Sequence, residues 1–155
     1  MELIFDRTQS DVSRWKELRA KPWDSMTMLE QREWLSDMKG CYNHTDMNRV
    51  ESAVATVSAL LKTMGYAHET PVVKTNWSRS DIPTPEDMSR YYRNITILRE
   101  AALVYPDTPV APREGERMDY VIANNIERIL FDIDDICTKI PNGVYHLGEI
   151  FSGEV

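Results

Sequence analysis

The sequence predicts a mainly α-helical fold, and three observations carry that prediction. A helix-start signature occurs four times, three long runs of apolar residues follow heptad spacing, and strand signal is confined to two short segments and the tail. The expected architecture is a helical bundle of three long heptad-patterned helices with shorter N-terminal helices. A small β element from the termini, from residues 71–77, or from both completes it. Residues 1–155 read as a single helical domain, with 144–155 an extended C-terminal segment.

The start signature pairs a polar cap with an acidic residue three positions on: Thr8 with Asp11, Thr27 with Glu30, Asn43 with Asp46, and Thr84 with Asp87. Each cap oxygen satisfies an amide that the helix leaves unpaired, and each carboxylate sits on the positive end of the helix dipole. Pro85 occupies the favoured first helical position. Three of the starts continue alike, as Asp11-Val12-Ser13-Arg14-Trp15, Asp46-Met47-Asn48-Arg49-Val50 and Asp87-Met88-Ser89-Arg90-Tyr91, at spacings of 35 and 41 residues. They read either as internal repeats opening near residues 8, 43 and 84 or as shared capping requirements. The Asp and Arg of each copy, including Asp46 with Arg49 and Asp87 with Arg90, lie three apart on one face. As exposed pairs they contribute only about 0.3 kcal/mol.

Apolar spacing sets the long helices. Met47, Val50, Val54, Val57, Leu61 and Met64 form one seam; Met88, Tyr91, Ile95, Leu98, Ala102 and Tyr105 form the next, with Pro106 expected to stop it. In the last, Ile122, Ile126, Ile129, Ile133, Ile136 and Ile140 are all isoleucine, and Pro141-Asn142-Gly143 is expected to end the helix. Isoleucine at both seam positions favours a trimeric or tetrameric axis, whereas the flanking Val121 and Leu130 broaden the stripe as expected for a helix inside its own chain's core. Both readings stand at this level, and Ile150 and Phe151 beyond the helix join the candidate assembly face. Pro71 to Trp77 reads as a short extended segment, and residues 106–115 are too proline-rich for regular structure. Residues 144–155 are expected to pair with Leu3-Ile4-Phe5.

A net charge of −7 without a local basic patch disfavours nucleic-acid and anionic-lipid partners. No window reaches the roughly 18 apolar residues of a membrane span, and the opening MELIFDRTQS lacks a signal-peptide pattern, so synthesis in the cytoplasm is expected. Cys41 and Cys137 read as reduced structural thiols. His44, His68 and His146 show no metal-ligand spacing, and the six glycines form no phosphate loop. Asp132 and Asp134 lie about 200° apart on a helix and cannot converge, so with Asp135 they read as a solvated face. Trp15, Trp23, Trp34 and Trp77 read either as core and staple residues or as a binding platform. No catalytic, cofactor or metal residue is assigned, and a non-enzyme is expected.

The stretch from Lys74 to Glu100, KTNWSRSDIPTPEDMSRYYRNITILRE, together with GCYNHTDMNRVESAV from Gly40 and the closing GEIFSGEV, resembles tail-region structural proteins of phages and prophages of Gram-positive bacteria. Thr45 to Glu51 is the closest match to that group's repeated helix-opening run. The resemblance implies a virion or tail-tip component without catalytic residues to carry over. Its partners would be other tail proteins and copies of itself, a trimer being favoured among homo-oligomers. A small helical binding or regulatory module with a pocket near the tryptophans is the alternative.

Overall fold

The computed structural model describes the backbone of residues 1–152 and the side chains of residues 1–140. Among the described residues five α-helices follow one another: α1 (Gln9–Ala20), α2 (Met28–Leu35), α3 (His44–Thr63), α4 (Pro85–Ala101) and α5 (Tyr120–Ser152), with a 3₁₀ turn at Trp23–Ser25 between the first two. Among the described residues there is no β-strand.

All four capping boxes form, each with the cap oxygen accepting the third helical amide and the acid returning to the cap amide. At the far end of α3, Gly65 takes φ +85°, which an L side chain rarely adopts, and its amide and that of Tyr66 close onto Lys62 O and Leu61 O. Helix α3 therefore stops where the seam does.

Helices α3, α4 and α5 pack pairwise against one another. Val50, Val57, Leu61, Ile95, Leu98, Ile126, Ile129, Leu130 and Ile133 are wholly removed from solvent between them. Burial of a side chain of that size stabilises by about 2 kcal/mol, so this interface dominates the fold. The N-terminal part is built differently. Leu18 is the only residue that α1 buries, and α2 buries none. Charge pairs join the two, with Arg14 Nη2 at 2.7 Å from Glu33 Oε2 and Lys21 Nζ at 2.5 Å from Glu30 Oε1. Gly40 anchors this lobe by close approach, since a Cβ there would lie 2.0 Å from the Asp11 carbonyl oxygen.

Three expectations need correction. Helix α4 ends at Ala101, not beside Pro106: Ala102 is already extended, the Pro106 ring would collide with the Ala102 carbonyl in a continued helix, and the Tyr105 amide binds Thr108 Oγ1 instead. Helix α5 does not end at Pro141: a proline forfeits one amide hydrogen bond, while apolar residues continue at helical spacing through Val144, Leu147 and Phe151. The expected sheet between the termini is not formed among the described residues; the backbone groups of Ile4 and Arg7 bind side chains of α5 instead. The side chains of Ile150 and Phe151 and all of residues 153–155 lie outside the described residues.

Candidate functional site

A segment without regular structure that crosses a helix must find partners for its amides and carbonyls without a neighbouring strand. Here the helices supply them from side chains. On α5, Asn124 pairs with both backbone groups of Arg7, its Oδ1 accepting the Arg7 amide at 3.1 Å and its Nδ2 donating to the Arg7 carbonyl at 2.8 Å. Three residues on, Glu127 Oε2 accepts the Ile4 amide at 2.6 Å.

Helix α3 repeats the device. Asn48 accepts the Trp77 amide at 2.7 Å and donates to the Trp77 carbonyl at 2.9 Å, and Glu51 Oε2 accepts the Lys74 amide at 2.6 Å. The two sites share one pattern, Asn-x-(Val/Ile)-Glu on the helix against a segment running the opposite way, gripped at two residues three apart. Helix α4 carries half of it: Asn94 pairs with both backbone groups of Val72, at 3.2 and 2.7 Å, but Ile97 stands where the glutamate would be.

Each clamping glutamate is fully buried, so its charge requires compensation. The repeats supply it. Arg49 donates from Nε and Nη2 to Glu127 at 3.0 and 2.8 Å, joined by Arg7 Nη2 at 2.8 Å; Arg90 donates to both oxygens of Glu51 at 2.7 Å, joined by Trp77 Nε1 at 3.1 Å. In the first copy, Arg14 reaches Glu33 of α2. The repeated arginine is thus an interhelix tie in all three copies, and the reading of Asp46–Arg49 and Asp87–Arg90 as exposed pairs is corrected. Asp46 is buried, and it binds Arg7 Nη2 at 2.8 Å as well as Arg49. Burial opposes the charge on Arg49, and the Glu127 and Asp46 carboxylates outweigh it, raising the guanidinium above its ordinary range.

Beside this network the Tyr42 and Tyr91 hydroxyls hydrogen-bond to each other, and burial pushes both phenols upward. A second anchor corrects another expectation. Asp132 is not solvated: it is 1% exposed and accepts from Thr108 Oγ1 and Arg128 Nε, each at 2.6 Å, pinning the proline-rich crossing to α5. Asp134 and Asp135 remain partly exposed, and Asp135 holds the Tyr105 hydroxyl.

Of the remaining candidates, Thr8, Asp11, Thr27, Glu30, Asn43, Thr84 and Asp87 are engaged in their caps. Ile126, Ile129 and Ile133 lie fully inside the chain's own core, occupying the surface an assembly axis would need, whereas Ile122, Ile136 and Ile140 are partly exposed. Cys137 is buried, which raises its thiol, and neither cysteine is in a disulfide. Trp77 is core; Trp15 and Trp34 line an open groove of about 410 Å³ with Tyr42, Asn43 and His44. Among the described residues no helix is long and apolar enough to cross a membrane.

Sequence reading misses Asn48, Asn94, Asn124, Glu51, Glu127 and Arg7. Their signal is faint but present: the same Asn-x-(Val/Ile)-Glu spacing recurs in α3 and α5, each time with a glutamate directly after an apolar seam residue. Comparison of the chain with protein-family models, with curated proteins and with solved structures finds no match.

Proposed function

We propose that this chain is a non-enzymatic structural and assembly protein of a phage or prophage tail, acting through protein–protein contacts. The observation that supports the reading is where the resembling motifs lie. Lys74 and Trp77 of one stretch are gripped by Asn48 and Glu51 of the other, so the shared residues hold the fold together. Glu51, Glu127 and Asp132 are bound by arginines, amides and a hydroxyl, an arrangement that keeps a carboxylate charged and fixed. Helices α3, α4 and α5 then act as a bundle-like scaffold, with partners contacting its exposed apolar residues, such as Val121 and Phe131 on α5 and Met28, Leu29 and Leu35 on α2. Self-association along the remaining exposed edge of α5, as a trimer, belongs to the same proposal.

Co-expression with the products of the flanking genes, followed by size-exclusion chromatography with light scattering, tests it. Co-elution with a tail protein, or a defined homo-oligomer, is expected. A clean monomer at tens of micromolar that retains no flanking product contradicts it. The groove beside Trp15 and Trp34 favours a second reading, a binding module for a small ligand, since its volume is within the range of ligand sites.

A further inference from the structure

A second cleft, of about 520 Å³, lies between the N-terminal lobe and the start of α5. Its walls are aromatic and apolar: Trp15 of α1, Tyr42 before α3, and Met118 and Tyr120 at the head of α5. Its charges are mostly of one sign. Arg7, Lys16, Lys39 and Arg117 line it, against one acid, Asp119, whose Oδ1 accepts the Ile122 amide at 2.8 Å and so caps α5.

The four cations differ in what they already hold. Lys39 is paired with Asp6 at 2.6 Å. Lys16 and Arg117 have no ion pair among the described residues, and both are exposed. Arg7 is 4% exposed and already held, its Nη2 by Asp46 and Glu127 at 2.8 Å each and its Nη1 by the Ile4 carbonyl, and its guanidinium lies 5.3 Å from the centre of the Tyr42 ring. Its Nε is buried without a hydrogen-bond partner, the one such side-chain nitrogen or oxygen among the described residues. A donor left this way costs free energy that an acceptor brought to the base of the cleft would recover. In a chain of net charge −7, the two cations left over, Lys16 and Arg117, beside aromatic walls attract an anion that has a flat apolar body.

We propose that this cleft is a binding site for a planar apolar anion, an aryl carboxylate or sulfonate, with its ring between Trp15, Tyr42 and Tyr120, its charge toward Lys16 and Arg117, and an acceptor oxygen for the unpartnered Nε of Arg7. The proposal deepens the ligand-binding reading but assigns it to a different place from the groove beside Trp34, and it is compatible with assembly.

The probe is 1-anilinonaphthalene-8-sulfonate, titrated into the intact full-length chain at low salt with fluorescence detection. Its uncharged counterpart, N-phenyl-1-naphthylamine, is titrated in parallel. Lys16→Gln and Arg117→Gln are exposed substitutions that leave the core untouched, and unchanged near-ultraviolet circular dichroism confirms folding. One saturable site is expected for the sulfonate, weakened about fivefold by each substitution, while the uncharged compound responds to neither. Three outcomes overturn the proposal: no saturable binding, equal binding of both compounds, or binding indifferent to both substitutions. If, in the last case, Trp34→Ala abolishes the binding, the ligand sits in the other groove; the ligand-binding reading then survives while this assignment falls.

Discussion

Replacing Glu127 with glutamine removes a charge at the point where three elements meet: the N-terminal segment, α3 and α5. The wild-type carboxylate accepts from Arg7, Arg49 and the Ile4 amide, and it is fully buried. Glutamine keeps the shape and one acceptor oxygen but directs an amide at guanidinium groups. Arg7, with its side chain 2% exposed, is left with Asp46 as its sole carboxylate, and Asp46 is shared with Arg49. Breaking a buried pair from one side costs about 3–5 kcal/mol. The figure belongs at the lower end because Arg49 is 22% exposed and can recover some hydration. For a urea dependence of about 2 kcal/mol per molar, a loss of about 3 kcal/mol lowers the unfolding midpoint by roughly 1.5 M. Urea unfolding followed by circular dichroism measures it. A double-mutant cycle with Arg49→Gln should return a coupling above about 1 kcal/mol. A destabilisation below about 1 kcal/mol, the value of an exposed pair, would refute the reasoning.

Other perturbations follow from the same geometry. Asn48→Ala leaves both backbone groups of Trp77 without their partner and should cost about 2 kcal/mol, read as a shift in thermal or urea midpoint. Glu30 is held at about 2 by its hydrogen bond from Lys21 and then by the Thr27 amide. Its folded value lies below the ordinary carboxylate value, so its contribution is present above about pH 4.5 and is lost as pH falls toward about 2. Tryptophan emission, to which Trp15, Trp23 and Trp34 of the lobe contribute, should change in that window, and Lys21→Met should shift the change to higher pH. Gly40→Ala should loosen the α2–α3 connection from α1, detected as faster proteolysis between α2 and α3, because its Cβ has no room beside the Asp11 carbonyl.

The caps and seams are legible in the sequence because their chemistry is local. A threonine and an acid three residues apart satisfy each other wherever the rest of the chain goes, and Val50, Val57, Ile126 and Ile133 declare a buried face by spacing alone. The clamps are not local. Glu127 reads as an interruption of the isoleucine stripe until Ile4 and Arg7 are brought to it from the other end of the chain. The same holds for Asp132, whose sequence neighbours suggest a wet face and whose partner Thr108 comes from the crossing segment. Pro141 shows the converse error: a strong local stop signal is overridden by an apolar spacing that continues beyond it. The segment at 71–77 forms no strand, and its hydrogen bonds go to Asn48, Glu51 and Asn94 instead.

Backbone amide exchange tests the clamps most directly, because they protect particular amides in segments with no regular structure. In native-state hydrogen exchange resolved by NMR, the amides of Ile4, Arg7, Val72, Lys74 and Trp77 should exchange as slowly as those within α3. Those of Phe5, Thr75 and Asn76, which have no partner among the described residues, should exchange orders of magnitude faster. Uniformly fast exchange across residues 4–7 and 72–77 would contradict the account.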